Sequence, residues 1–151
     1  MTRTRPRRQS GRSKAVAAGD EPARGSRHEA FRAARTCYDH LAGRLGVGIA
    51  DTLLAREYLV CTAEGGEITR AGKRFLQKLG VEPDNGAGRR PFCRVCLDGT
   101  ERRPHLAGKV GTALAARFFE RGWVARQNGS RALTVTPAGR RMLRETFGLT
   151  V

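Results

Sequence analysis

Hydrophobic positions recur with helical spacing over two long segments of the chain. Between positions 38 and 54 the apolar residues fall three and four apart, which predicts a helix from about Arg32 to Arg56, bent near Gly46. A matching pattern predicts a helix from about Pro104 to Arg121. Each of these segments is followed by two short strand patterns and then by another helix.

The strand patterns are short and are separated by turn residues. The predicted strand segments are Tyr58–Cys61 with Glu67–Thr69, around Gly65-Gly66, and Trp123–Gln127 with Ala132–Thr136, around Asn128-Gly129. Thr69 and Thr136 are predicted to cap the helices that follow, and Pro137 suits the first helical position. These helices are predicted to end before Gly80 and at Gly148.

Two segments of the first half recur in the second half. The heptapeptide that starts at His40 (HLAGRLG) returns as HLAGKVG at His105, and the segment that starts at Thr69 (TRAGKRFL) returns as TPAGRRML at Thr136. The sequence therefore predicts an α+β fold, mostly helical. We interpret it as a tandem repeat of a helix–β-hairpin–helix unit similar to the wing region of winged-helix proteins. One such unit is too small to bury a core alone, so two units are expected to share one.

Composition divides the chain into four parts. Residues 1–30 contain little to bury and are predicted to form a disordered basic arm. Residues 31–82 form the first repeat, residues 83–100 a linker with a Cys-x-x-Cys loop, and residues 101–151 the second repeat. The 151-residue length excludes a large multidomain enzyme.

The charge indicates a polyanionic partner. Lys and Arg number 29 against 14 Asp and Glu, a formal net charge of +15, which favours DNA. Phosphate contacts are predicted from Arg70, Lys73, Arg74, Arg140, Arg141 and Arg144. The alternative for these residues is an ordinary solvated helix face.

Other function classes are disfavoured. The longest apolar stretch, Val110–Phe119, is too short to span a membrane, and no export signal is recognised. A cytoplasmic, nucleoid-associated protein is therefore expected. The motifs of hydrolases and phosphate-binding loops are absent from the sequence, so an enzyme is not predicted.

Cysteine and histidine occur at metal-ligand spacing. Cys37-x-x-His40 and Cys93-x-x-Cys96 together supply the donors of a tetrahedral Zn²⁺ site. Further candidates for this site, as competing or supporting groups, are Asp39, Asp98 and His105.

Two other interpretations of the cysteines stay open. In one, Cys93 and Cys96 form a redox pair, with Arg90 and Arg94 lowering the thiol pKa values. In the other, the cysteines and histidines have no chemical role. Cys61 has no partner in these schemes and is expected to be a small apolar strand residue.

A helix-turn-helix is one interpretation of the segment around Gly46. That residue would then make the turn between two helices. The apolar period, however, continues through Gly46 to Ile49 and Leu53 without a break, which favours one continuous packing helix.

Several segments resemble the C-terminal half of ArsR-type winged-helix regulators of bacteria. They are ARTCYDHLAG from Ala34, RPFCRVCLD from Arg90, ERRPHLAG from Glu101 and SRAL from Ser130. The resemblance implies a cytoplasmic, dimeric transcriptional regulator. The spacing of Cys37, His40, Cys93 and Cys96 suggests in addition that such a regulator responds to a metal or an oxidant. The chain departs from the family at Gly99-Thr100, where the family has Trp-Ser. It departs again at the N-terminus, where a short basic arm takes the place of the usual DNA-binding domain.

Two functions follow from these observations. The first is a DNA-binding transcriptional regulator or its effector and dimerisation region. The alternative is a protein-interaction module without sequence-specific DNA binding of its own. A cysteine-based redox enzyme is a weaker third hypothesis.

Overall fold

The computed structural model describes residues 24–83 and 88–151. Most of the predicted basic arm, residues 1–23, lies outside the described residues. The first half contains α1 (Arg24–Ala33), β1 (Arg35–Cys37), β2 (His40–Ala42), α2 (Gly43–Ala55), β3 (Leu59–Thr62), β4 (Gly65–Ile68) and α3 (Arg70–Lys78). The second half contains β5 (Arg94–Leu97), β6 (Pro104–Ala107), α4 (Gly108–Glu120), β7 (Val124–Arg126), β8 (Leu133–Val135), α5 (Pro137–Met142) and a π-helical turn (Leu143–Phe147). The predicted α+β class is confirmed.

The first long helix was predicted too far towards the N-terminus. The segment from position 35 to position 42 is a two-stranded antiparallel hairpin, and α2 begins only at Gly43. Gly43 has φ 72, which an uninterrupted helix does not allow. The hairpin turns through Tyr38 (φ 58) and Asp39, so it lacks the glycine or asparagine that signals such a turn in a sequence.

The second long helix was misjudged in the same way. Pro104–Ala107 is a strand, paired antiparallel with Arg94–Leu97, and α4 begins at Gly108. The segment predicted as a linker therefore contains β5. In both halves the apolar residues of a short strand run directly into those of a helix, and their combined spacing imitates a longer helix.

Apart from α1, which begins inside the segment predicted to be a disordered arm, the remaining elements agree with the sequence predictions. The β3–β4 and β7–β8 hairpins form where they were expected. The Oγ1 atoms of Thr69 and Thr136 accept hydrogen bonds from the backbone N–H groups of Gly72 and Gly139, each at 3.1 Å. These are N-caps of α3 and α5. Gly148 ends the last helical turn with φ 65.

After α1, both halves run hairpin, helix, hairpin, helix. That the two halves are a tandem repeat of one unit stays a prediction from the sequence. The halves exchange contacts, because α2 packs against β6 and α4 packs against β2. One hydrophobic core draws side chains from both halves, among them Leu45, Ile49, Leu114 and Phe118.

Close approach of the halves depends on glycines in α2 and α4. A Cβ atom at Gly46 would lie 3.5 Å from the Cβ of His105, and one at Gly111 would lie 3.3 Å from the Cβ of His40. The Cβ atom added at Gly46 would also lie 2.4 Å from the carbonyl oxygen of Leu41. The helix of each half thereby admits the histidine of the other half.

The described residues contain no pair of consecutive helices joined directly by a short turn. A hairpin separates α1 from α2, α2 from α3 and α4 from α5. The helix α2 continues without a break through Gly46, which confirms a single packing helix at that segment. None of the helices in these parts of the chain has the length and apolar character needed to cross a membrane.

Candidate metal centre

The first and third hairpins bring two cysteines and two histidines together. Cys37 lies opposite His40 in the β1–β2 register, and Cys96 lies opposite His105 in the β5–β6 register. Because β2 and β6 are in contact, the two pairs meet between the halves. The four ligand atoms, two Sγ and two ring nitrogens, lie within 4.8 Å of one another. Both histidines are buried, and both thiols are half-buried.

The two imidazole rings face each other. The Nε2 atoms of His40 and His105 are 2.9 Å apart. Burial lowers the pKa of both rings, so both are neutral at physiological pH. The remaining nitrogen of each ring lies next to a carboxylate, which decides how the ring protons are placed.

Asp98 lies behind His105. Its Oδ2 atom is 2.9 Å from His105 Nδ1 and accepts a hydrogen bond from the backbone N–H of Gly43 at 2.8 Å. Its Oδ1 atom accepts hydrogen bonds from Arg35 at 3.0 Å, from the backbone and hydroxyl of Thr100, and from the backbone of Glu101. Burial opposes ionisation of Asp98, but the backbone donors outweigh it and hold the pKa well below its ordinary value.

Asp39 lies behind His40. Its Oδ1 atom is 3.4 Å from His40 Nδ1. Arg90 contacts both carboxylate oxygens, at 2.8 and 2.5 Å, and the hydroxyl of Thr112 donates to Oδ2 at 3.0 Å. The hydrogen bond from Arg90 is the main reason that the pKa of Asp39 falls to about 2.

The carboxylates of Asp39 and Asp98 favour cation binding between the Nε2 atoms of His40 and His105. An ionised carboxylate only accepts hydrogen bonds, so each favours a proton on the Nδ1 atom that faces it. Both Nε2 atoms then present lone pairs to each other, which is repulsive unless a proton or a metal ion lies between them. Histidine ligands of metals commonly donate their second N–H to a carboxylate in this way.

The donor set suits a tetrahedral Zn²⁺ ion. At ordinary Zn–N and Zn–S bond lengths the ligand atoms of a tetrahedral site lie about 3.3 to 3.8 Å apart, so small side-chain movements would close this cluster on an ion. Two thiolates and two neutral imidazoles would also balance the ion's charge. The adjacent Asp39 and Asp98 are already paired with Arg90 and Arg35.

Three of the four predicted ligands, Cys37, His40 and Cys96, belong to this cluster. The fourth predicted ligand, Cys93, lies outside it, and His105 takes its place. Cys93 is buried, and its Sγ would lie 3.3 Å from a Cβ atom at Gly66. Cys93 immediately precedes β5, whereas Cys96 lies on β5 opposite His105. The Cys-x-x-Cys spacing therefore does not bring Cys93 into the cluster.

The thiols do not have the lowered pKa values that were expected from neighbouring arginines. Burial raises the pKa of Cys93 to about 11, with a further contribution from Cys61. Burial and the neighbouring Cys37 also raise the pKa of Cys96, against the opposing effect of Arg94. Cys61 lies on β3 as expected but is exposed, so it is not an apolar core residue.

The predicted phosphate contacts lie on two helices. Arg70, Lys73 and Arg74 belong to α3, and Arg140, Arg141 and Arg144 belong to α5 and the turn after it. All six side chains are exposed, and within the described parts of the chain none is in an ion pair. The ammonium of Lys73 lies 5.7 Å from the ring centre of Phe92.

Two supporting residues were not found by sequence reasoning. Arg35 holds Asp98, and Thr112 holds Asp39, across long separations in the sequence. For His105, recognising the β5–β6 hairpin in the sequence would have placed its side chain opposite Cys96. No spacing rule identifies Arg35 or Thr112.

One curated protein is similar to this chain. It comes from Bacillus subtilis (strain 168), is named the uncharacterized HTH-type transcriptional regulator YdfF, and is 42% identical over 108 residues. The match covers 71% of this chain and 48% of that protein, so the chain spans about half the length of the curated relative it matches. No family model and no solved structure matches the chain.

Proposed function

We propose that this chain is a zinc-binding effector and dimerisation region of a cytoplasmic, nucleoid-associated transcriptional regulator of the ArsR-like kind. The observation that carries this proposal is the cluster of Cys37, His40, Cys96 and His105, with a carboxylate behind each histidine. The similarity to a protein named as an HTH-type transcriptional regulator supports the regulatory role. No catalytic role is proposed.

The metal would join the two halves of the molecule. Each half supplies one cysteine and one histidine from one hairpin, so a bound ion cross-links β1–β2 to β5–β6. Metal binding to such a site contributes directly to folding stability, because the unfolded chain does not hold the ligands together. The site is therefore suited to make the regulator's structure depend on metal supply.

Metal content of the full chain, purified without chelators, tests this proposal. We expect one Zn²⁺ per chain, and at least a tenfold loss of affinity in Cys96→Ser and in His105→Gln. Cys93→Ser is the matched control, because Cys93 lies in the same hairpin segment but outside the cluster, and it should keep its metal. Equal losses in Cys93→Ser and Cys96→Ser would contradict this ligand set.

The exposed basic side chains of α3 and α5 support contacts with DNA phosphates. Such contacts make affinity depend steeply on salt and give little sequence specificity. For the double variant Arg140→Ala with Arg144→Ala, we expect the slope of log affinity against log salt to fall by about 2. Arg121→Ala with Arg126→Ala removes the same charge elsewhere and should change the slope much less. An equal change in both variants would contradict a specific phosphate surface.

A second candidate function is a protein-interaction module that does not bind DNA specifically. One observation favours this module: within the described residues, no two helices are joined by a short turn as in a helix-turn-helix. Light scattering together with DNA titration separates the two functions. A stable homodimer without measurable DNA binding at about physiological salt supports the module, and DNA binding that depends on Arg140 and Arg144 supports the first proposal.

A further inference from the structure

The metal cluster contains two thiols that face each other from different hairpins. Cys37 lies on β1 and Cys96 on β5, and their sulfur atoms belong to the group whose members lie within 4.8 Å. Cys96 also lines an open cleft of about 470 Å³, together with Tyr38, Arg90 and Leu97. Tyr38 and Leu97 are largely exposed, so small molecules can reach this end of the cluster from solvent.

The other two cysteines are placed differently. Cys93 is buried immediately before β5 and outside the cluster, and Cys61 is exposed on β3, opposite Gly66 in the β3–β4 register. The Cys-x-x-Cys spacing of Cys93 and Cys96 therefore does not bring these thiols together. The thiol that shares a site with Cys96 is that of Cys37.

We propose that in the metal-free protein Cys37 and Cys96 are an oxidisable dithiol, which a hydroperoxide converts into a disulfide between the two hairpins. This inference deepens the proposed function, because it concerns the regulation of the same four ligands. Oxidation and metal binding exclude each other at this site, since a disulfide removes both thiolate donors.

The oxidation is a two-step displacement. The thiol of Cys96 faces the cleft and reacts through its thiolate form, which attacks the terminal oxygen of the hydroperoxide. The O–O bond breaks, and the leaving alkoxide takes up the proton that the thiol released, giving an alcohol. The product is a sulfenic acid on Cys96. The thiolate of Cys37 then attacks this sulfur, the S–S bond forms, the S–O bond breaks, and the hydroxyl group leaves as water. The two thiols together lose two electrons, and the hydroperoxide is reduced to alcohol and water.

The local geometry supports this order of events. The sulfur atoms of Cys37 and Cys96 belong to one group of ligand atoms that lie within 4.8 Å of one another, so a disulfide needs only small side-chain movements. Cys37 does not line the cleft, which assigns it the second attack. A bound Zn²⁺ would hold both thiolates and slow the first step.

Peptide mapping of the full chain after treatment with cumene hydroperoxide tests the proposal. The protein is first stripped of metal and reductant, and digests are compared before and after reduction. We expect a cross-linked peptide pair that contains Cys37 and Cys96, formed at least tenfold more slowly in the presence of one equivalent of Zn²⁺. A Cys93–Cys96 or Cys61–Cys93 link, or only links between chains, would overturn the proposal.

Two variants make the test independent of folding defects. The double variant Cys61→Ser with Cys93→Ala leaves only the proposed pair and should form the intramolecular disulfide, whereas Cys96→Ser should not. If the disulfide forms but no metal binds, the metal proposal fails and this inference stands. If Zn²⁺ binds but the metal-free thiols of the double variant stay reduced under excess hydroperoxide, this inference fails alone.

Discussion

Asp98 is fully buried, and its two oxygens accept hydrogen bonds from both halves of the chain. Gly43 and Arg35 donate from the first half, and Thr100, Glu101 and His105 donate from the second. A buried carboxylate with this many donors is stable only as the ion. It fixes the proton of His105 on Nδ1 and leaves Nε2 for a ligand.

Asp98→Asn tests this role at the residue scale. The amide cannot replace both acceptor oxygens, and the guanidinium of Arg35 stays buried without its counter-charge. We expect the metal-free protein to lose about 3 kcal/mol of unfolding free energy, measured by urea denaturation. Asp51→Asn removes the partly exposed partner of Arg103 and should cost less than about 1 kcal/mol. Equal costs for the two variants would contradict the buried network.

The two buried histidines predict how stability depends on pH. Burial lowers their pKa values below the ordinary 6.5, so between these values and 6.5 the unfolded chain binds more protons than the folded chain. Stability of the metal-free protein should therefore fall as the pH falls through about 6.5. The facing carboxylates of Asp39 and Asp98 stay ionised over this range.

Denaturation of the metal-free protein between about pH 5 and pH 8 checks this pH dependence. We expect His40→Gln to flatten the profile, because one buried titrating group is removed. A profile with the same slope in His40→Gln as in the unsubstituted protein would refute the assignment.

At the scale of elements, each hairpin–helix pair places its histidine against the helix of the other half. Gly111 of α4 lies against His40, and Gly46 of α2 lies against His105. The close packing of β2 against α4 and of β6 against α2 thus requires glycine at positions 111 and 46. A change in these helices should reach the proposed metal ligands through the histidines.

Gly111→Ala tests this coupling. The added Cβ would lie 2.6 Å from the carbonyl oxygen of Leu106 and 3.3 Å from the Cβ of His40. We expect a loss of roughly 1–3 kcal/mol in unfolding free energy together with weaker Zn²⁺ binding. Gly25→Ala, where nothing lies within 4 Å of the added Cβ, should change neither. Lower stability with unchanged metal affinity would contradict the coupling.

Sequence reasoning succeeded for elements with a local signal. The hydroxyls of Thr69 and Thr136 and the turns at Gly65 and Asn128-Gly129 act on near neighbours, so the second and fourth hairpins and the helices after them were predictable. The first hairpin was missed because Tyr38-Asp39 is not a standard turn signal. The third was missed because its strands are separated by the longer loop 98–103, so that Asp98-Gly99 was not interpreted as a hairpin turn. The site was predicted in part for the same reason, since grouping His105 with Cys96 requires the missed β5–β6 pairing.

At the scale of the whole molecule, polar groups join the halves in addition to the shared apolar core. Arg35 reaches Asp98 from one half to the other, and Thr112 reaches Asp39 in the opposite direction. The cluster of Cys37, His40, Cys96 and His105 lies between these two bridges. In this account the high positive charge has a separate role, because the exposed basic side chains of α3 and α5 are available to phosphates.

The cobalt spectrum of the full chain tests the central claim most directly. Co²⁺ replaces Zn²⁺ in such sites and reports both geometry and thiolate ligation in its absorption. We predict intense bands of a tetrahedral ion with thiolate-to-cobalt charge transfer, at one Co²⁺ per chain, retained in Cys93→Ser and reduced in Cys37→Ser and Cys96→Ser. A weak octahedral spectrum, or a tetrahedral one that depends on Cys93 instead of Cys37, would contradict the account.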